Sequence, residues 1–214
     1  MYFSSRTDAG ERLAASLQHY KGAHAVVYAV PRGGVPVGLA IARSLEVPFD
    51  IIPAGRIAHP HARHHAVGAV AATGEIVYNE KETKNLDTVW LRWAVLFAER
   101  DVLRKSRLLD GIHRHTSPAG KIAIVVSDGA ATGLVMSAAL RALRKAGPAK
   151  IIVAVPNASH DAMRMLSARA DMVVTLDDTG SSYVPTISYY ADTRRLSDRD
   201  VVHMVKKHDR AFYT

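Results

Sequence analysis

Apolar residues along this chain fall into two alternating patterns. Short unbroken runs at Ala25–Val30, Ile122–Val126 and Ile151–Val155 read as buried strands, the kind found inside parallel sheets, and Met172–Leu176 as a further strand. Between them, apolar residues recur at helical spacing. Val35 to Leu45 places Val35, Leu39 and Ala42 on one side, Leu134 to Ala146 ends at the helix stop Gly147-Pro148, and Ser159 to Ala168 forms a third helix. Asp8-x-x-Glu11 ahead of Leu13, Leu17 and Tyr20 predicts a capped helix stopped by Gly22, and Ser197-x-x-Asp200 caps a last basic helix near Val201 to Lys207. A long helix carries Leu86, Val89, Trp93, Leu96, Phe97 and Leu103 at helical spacing, which assigns its tryptophans to core packing.

The stretch between the second and third long helical runs departs from this alternation. Asp50-Ile51-Ile52 starts a short strand, while Val67–Ala71 and Glu75–Tyr78 read as a hairpin around Thr73-Gly74, with Glu75 and Glu80 as surface charges. Gly55 to His65 has almost no periodic hydrophobicity and holds Arg56, Pro60, Arg63 and four histidines: His59, His61, His64 and His65. Their spacing fits no established metal motif, so the segment reads as a solvated, mobile loop. Strands alternating with helices predict an α/β fold: one domain over residues 1–214, built on a doubly wound, mainly parallel sheet with an inserted β-hairpin.

Composition narrows the function classes. The apolar runs stop far short of the ~20 residues of a membrane span, and Met1-Tyr-Phe-Ser-Ser-Arg6 lacks the apolar core of a signal peptide, so a cytoplasmic protein with no membrane partner is expected. The chain contains no cysteine, which excludes a disulfide framework and a thiol nucleophile. A net charge of +8 points to an anionic partner: a polyphosphorylated small molecule, a nucleic acid, or only a solvated basic surface. The positive residues are spread along the chain, which gives the nucleic acid little local support.

The chemistry concentrates at strand ends. After the strand Ile122–Val126 come Ser127-Asp128-Gly129-Ala130-Ala131-Thr132-Gly133 and then a helix. Such a turn aims backbone N–H groups and the positive end of a helix dipole at one point, a natural seat for a phosphate. Asp128 stands beside it for sugar hydroxyls or a metal. Pro31-Arg32-Gly33-Gly34 is a second unusual turn, with a cation and two backbone-permissive residues. Ligands of doubly wound sheets sit at the carboxyl ends of the strands, so these turns and the segment from Gly55 should converge on one cleft.

These residues resemble the type I phosphoribosyltransferases over nearly the whole chain. Within that family the likeness is to a bacterial branch carrying Leu-Pro-Arg-Gly-Gly-Val-Pro-Val, matched here by Ala29-Val30-Pro31-Arg32-Gly33-Gly34-Val35-Pro36-Val37. The family signature of apolar residues, two acids, a small-residue loop and Thr-Gly is matched by Ile122 to Gly133. The resemblance implies a site for 5-phosphoribosyl 1-diphosphate, or another ribose 5-phosphate, with Mg²⁺. Gly129, Ala130, Ala131, Thr132 and Gly133 would hold the 5-phosphate, with Ser127 beside them. Asp128 would take the ribose hydroxyls and reach the metal through ligand or water. Arg32, Gly33, Gly34 and Arg56 would face the pyrophosphate, with Asp128 and Arg56 as the catalytic pair. A flap at about residues 55–66 would close over the site. Tyr183, Tyr189 and Tyr190, in a hood formed mainly by residues 177–214, would meet the base. A homodimer is expected by family analogy.

The sequence also departs from the family. Ser127 stands where the first signature acid is expected, Leu134-Val135 follow Thr132-Gly133 where many relatives have another threonine, and Gly55-Arg56 and His64 replace an Arg-Lys pair and a glutamate. Two readings follow. One is a Mg²⁺-dependent transferase acting on a nitrogen base or related acceptor. The other is a binding protein of the same fold that senses a phosphoribosyl ligand or nucleotide without turnover, with nucleic acid as a candidate partner. The acceptor base cannot be read from these residues.

Overall fold

The computed structural model describes residues 2–178 and 186–213. In chain order the elements are α1 (Arg6–Ser16), β1 (Ala25–Ala29), α2 (Gly34–Leu45), β2 (Phe49–Ile51), β3 (Ala54–His59), β4 (Ala62–Ala71), β5 (Ile76–Tyr78), α3 (Glu80–Thr83), α4 (Thr88–Arg107), β6 (Ile122–Val126), α5 (Leu134–Lys145), β7 (Lys150–Ala158), α6 (His160–Ser167), β8 (Met172–Asp178) and α7 (Asp198–Phe212). Five strands form a parallel sheet in the order β2-β1-β6-β7-β8, and β3-β4-β5 form a separate antiparallel sheet. The α/β architecture with an inserted hairpin is the one the pattern predicts.

The parallel sheet divides the core into two layers because side chains alternate across it. Val26, Tyr28, Ala123, Val125, Ile151 and Val153 pack toward α5, α6 and the antiparallel sheet. Val27, Ala29, Ile124, Val126, Ile152 and Ala154 pack toward α1, α2 and α7. Each of β1, β6 and β7 is therefore apolar on both faces, which is why these runs are unbroken in sequence.

Four local readings are corrected. The segment 55–65 is not an open loop but most of β3 and the start of β4, joined at Pro60-His61, with register shifts beyond Ile57. Its bulges scramble the two-residue alternation that would have marked a hairpin. The first helix starts earlier than Asp8, since the Ser5 hydroxyl caps it by accepting from the Asp8 N–H. Glu75 is buried, not a surface charge: it accepts from the Thr73 hydroxyl and pairs with Lys145 at 2.8 Å. Trp93 is 56% exposed and Phe97 64%, so most of the apolar row of α4 faces outward instead of joining the core. The final helix is capped as expected, with Ser197 and Asp200 exchanging hydrogen bonds in a capping box.

A polar network anchors α7 to the sheet edge. His113 and His115, on the connector between α4 and β6, meet Asp50 of β2 and Asp209 of α7. Burial alone would lower the His113 pKa, but hydrogen bonds to Asp50 and Asp209 outweigh it and the net shift is upward.

Candidate functional site

The two signature turns lie side by side because β1 and β6 are adjacent, with Ala29 level with Val126. Here the chain turns from one face of the sheet to the other. Just beyond these strand ends lies a cleft of about 620 Å³. It is lined by Arg32, Gly33 and Arg56, by all of Ser127 to Gly133, and by Val30, Pro31, His65, Ala66, Val135, Met136 and Thr186. Three segments far apart in sequence therefore converge where the pattern placed them.

The floor is built for an anion. Gly133, in the left-handed region at φ 72°, caps α5 and supplies no side-chain hydrogen bond, and the Leu134 N–H reaches only the Thr132 hydroxyl, at a long 3.5 Å, so the first turn is left with weakly held N–H groups. Arg144 and Lys145 lie in the last turn of the same helix, matching its dipole. Gly129 has φ 150°, and a Cβ there would meet the Thr186 side chain at 2.5 Å and Asn157 Oδ1 at 2.6 Å. Only glycine satisfies both constraints. The loop is fixed from below: Ala130 donates its N–H to the Asn157 carbonyl at 2.9 Å, Ser159 donates its N–H to the Ala130 carbonyl at 3.1 Å, and the Ser159 hydroxyl donates to the Ala131 carbonyl at 2.7 Å.

Asp128 is the one carboxylate among the lining residues. Arg6 of α1 donates from Nε to Asp128 Oδ2 at 2.9 Å and reaches the Arg194 carbonyl at 3.2 Å. The guanidinium also lies over the Tyr190 ring, 5.2 Å from its centroid. The Tyr190 hydroxyl donates to the backbone carbonyl of Asp128 at 2.6 Å, and burial followed by the nearby Asp128 charge pushes its pKa upward. Asp128 is thus held through both its side chain and its main chain. Arg32 is exposed at the rim, 3.5 Å from Asp198 of α7, and its peptide bond with Pro31 is cis. Gly33 packs directly against Asp128: a Cβ there would fall 1.8 Å from Asp128 Oδ2.

Of the other expected residues, Gly34 is buried behind the cleft, where a Cβ would meet the Val126 carbonyl oxygen at 2.8 Å. Tyr190 is 1% exposed and packs with Phe3, so it supports the loop from beneath and does not face the cleft. Tyr189 flanks that cluster. Tyr183 lies outside the described residues. Reasoning from sequence missed Arg6, Thr186 and the supporting role of Tyr190. A basic residue just inside the first helix was the only local signal for Arg6.

The donor set suits a Mg²⁺ that arrives on its ligand. Magnesium is commonly held by one or two carboxylates, with substrate phosphates and water completing the shell, and Asp128 with the Ser127 hydroxyl offers that limited protein share.

The phosphoribosyl transferase domain family model matches residues 5–192. A provisionally named phosphoribosyl transferase of Mycobacterium tuberculosis, from strains CDC 1551 / Oshkosh and H37Rv, is 32% identical over 216 residues, covering 98% of this chain and 48% of the relative. The chain spans about half the length of the curated relatives it matches. The crystal structure of TT1426 from Thermus thermophilus superposes with a TM-score of 0.78 at 30% identity, covering 97% of this chain and 99% of that one.

Proposed function

Because this chain belongs to the phosphoribosyl transferase domain family, we propose that its cleft binds 5-phosphoribosyl 1-diphosphate with Mg²⁺ and transfers the phosphoribosyl group to a nitrogen base or related acceptor. The observation that carries this reading is the N-terminus of α5 beneath Gly129 to Gly133, where Gly133 supplies no side-chain cap, with Asp128 as the one lining carboxylate.

In the proposed reaction the C1–O bond to pyrophosphate breaks and its electron pair leaves with the pyrophosphate. The acceptor nitrogen gives its lone pair to C1 and then loses its proton. Positive charge grows on the ribose ring as negative charge leaves, so the site must stabilise an anion on one side and exclude water around C1. Arg32 and Arg56 supply cations on the pyrophosphate side. The α5 terminus and Thr132 hold the 5-phosphate as a fixed anchor, and Asp128 orients the ribose through its hydroxyls. Asp128 and the Ser127 hydroxyl would help to hold Mg²⁺, whose chemistry would be charge neutralisation of the leaving group. The β3–β4 hairpin, which brings Arg56 and His65 to the cleft, is the element suited to cover it.

A second reading has its own support. Ser127 removes one acidic charge from the signature, and Arg6 already pairs with the acid that remains. Both features favour a protein that binds the ligand without turning it over. Calorimetric titration with 5-phosphoribosyl 1-diphosphate, with and without Mg²⁺, followed by pyrophosphate release across a panel of bases, separates the two. Saturable binding that Asp128→Asn weakens is expected under both readings, and turnover on at least one base under the first alone. An Asp128→Asn protein with unaltered affinity would overturn the site assignment, and failure to bind any ribose phosphate would overturn both readings.

A further inference from the structure

The geometry points to a second, independent site: a transition-metal centre of the Zn²⁺ class formed by Asp50, His113 and His115, with Asp209 holding His113 in place. None of the four residues lines the phosphoribosyl cleft.

Three potential ligand atoms meet around one carboxylate oxygen. His113 Nε2 and His115 Nδ1 each lie 3.1 Å from Asp50 Oδ1, and all three atoms fall within 4.8 Å of one another. With metal–ligand bonds of about 2.0–2.1 Å, neighbouring corners of a tetrahedral shell are about 3.3 Å apart. The two separations from Asp50 are thus close to those of a shared coordination shell. His113-Arg114-His115 supplies two imidazoles from one short connector, and Asp50 supplies the carboxylate from the sheet edge.

The surroundings have the form of a prepared site. His113 Nδ1 lies 2.8 Å from Asp209 Oδ2, which also accepts from the Arg114 N–H at 3.3 Å. A carboxylate on the far nitrogen orients the ring, and a metal would displace the proton that Nε2 shares with Asp50. Asp50 is oriented in turn by the N–H groups of Ile51 at 2.6 Å and Thr116 at 2.7 Å. The His113 side chain is fully buried and Asp50 nearly so, while the His115 side chain is 57% exposed. The site therefore has a rigid inner wall and one open side, where water would complete a four-coordinate shell. Asp50 and Asp209 together carry the charge that a divalent cation balances. The flap histidines are a weaker alternative: the rings of His59, His61 and His65 approach one another only to about 6 Å between centroids.

The proposal is tested on the full chain, freed of metal with a chelator and titrated with Co²⁺, whose visible absorption reports tetrahedral coordination, followed by displacement with Zn²⁺. One equivalent is expected to bind with a tetrahedral spectrum, and Zn²⁺ to abolish it. His115→Ala removes a ligand at an exposed position and is expected to abolish the spectrum while the circular dichroism stays that of the parent. Asp209→Asn is expected to weaken binding roughly 10- to 100-fold. The double variant His59→Ala/His61→Ala is expected to bind as the parent does. Absence of saturable binding, or a tetrahedral spectrum that survives His115→Ala, overturns the assignment, as does a spectrum lost with the two flap histidines.

Discussion

Gly33→Ala isolates the contact between the two signature turns. Gly33 has φ −62° and ψ −31°, a conformation alanine adopts freely, so the substitution introduces no backbone strain. What it introduces is one methyl carbon. Built on this backbone, that carbon falls 1.8 Å from Asp128 Oδ2, 2.2 Å from Cγ and 2.5 Å from Oδ1. Close C···O contacts in proteins run at about 3.3–3.6 Å, so the carboxylate must retreat by roughly 1.5 Å. Its main chain cannot follow easily, because the Tyr190 hydroxyl holds the Asp128 carbonyl. The side chain must therefore rotate, giving up the 2.9 Å bond from Arg6 and its present place in the cleft. Hydrogen bonds to a charged group contribute about 1.5–3 kcal/mol, so 5-phosphoribosyl 1-diphosphate should bind roughly 10- to 100-fold more weakly. The Arg6–Asp128 pair is only partly shielded from solvent, and its loss should cost stability on the order of 1 kcal/mol, or about 2–4 °C in Tm for a chain of this size. Isothermal titration of parent and variant, with a thermal melt of each, gives both quantities. An unchanged dissociation constant in a correctly folded variant would refute the claim that Gly33 sets the position of Asp128.

Two further substitutions address neighbouring parts of the cleft. Ser127→Asp restores the signature charge and should strengthen Mg²⁺-dependent ligand binding; calorimetry with and without Mg²⁺ checks it, and an unaltered Mg²⁺ dependence would count against the missing acid as the limiting defect. Tyr190→Phe removes the donor to a carbonyl in a closely packed site, which should cost about 1–3 kcal/mol and lower Tm by several degrees. A melt matching the parent would show that Tyr190 does not hold the loop.

The parts of the fold legible in the sequence are those whose determinants are local. The strands at Ala25, Ile122 and Ile151 are marked by unbroken apolar runs because both their faces are covered. The turn at Asp128 to Gly133 is marked by residue types that its backbone requires. The β3–β4 arm was less visible, since its register shifts near Ala58 and its histidines and arginines break the alternation. The α4 row misled for a different reason: helical periodicity shows that Val89, Trp93, Leu96 and Phe97 share a face, but not which way that face points. Glu75 needed Lys145, and Asp50 needed His113, before either could be recognised as more than a charge. Arg6 lies 122 residues from Asp128, and no short-range pattern encodes that distance.

That separation also bears on the order in which the cleft can form during synthesis. The N–H of Phe3 donates to the Tyr189 carbonyl, those of Ala191 and Asp192 donate to Phe3 and Ser4, and Arg6 bridges Asp128 to Arg194. A chain made from its N-terminus can pack α1 against α2 and assemble much of the sheet, while Phe3, Ser4 and Arg6 wait for partners that do not yet exist. The carboxylate at the centre of the cleft gains its full support only once residues near 194 have left the ribosome. Closing such long loops is slow, because their entropy is lost before the contacts form. The binding site should accordingly be among the last regions of this domain to mature.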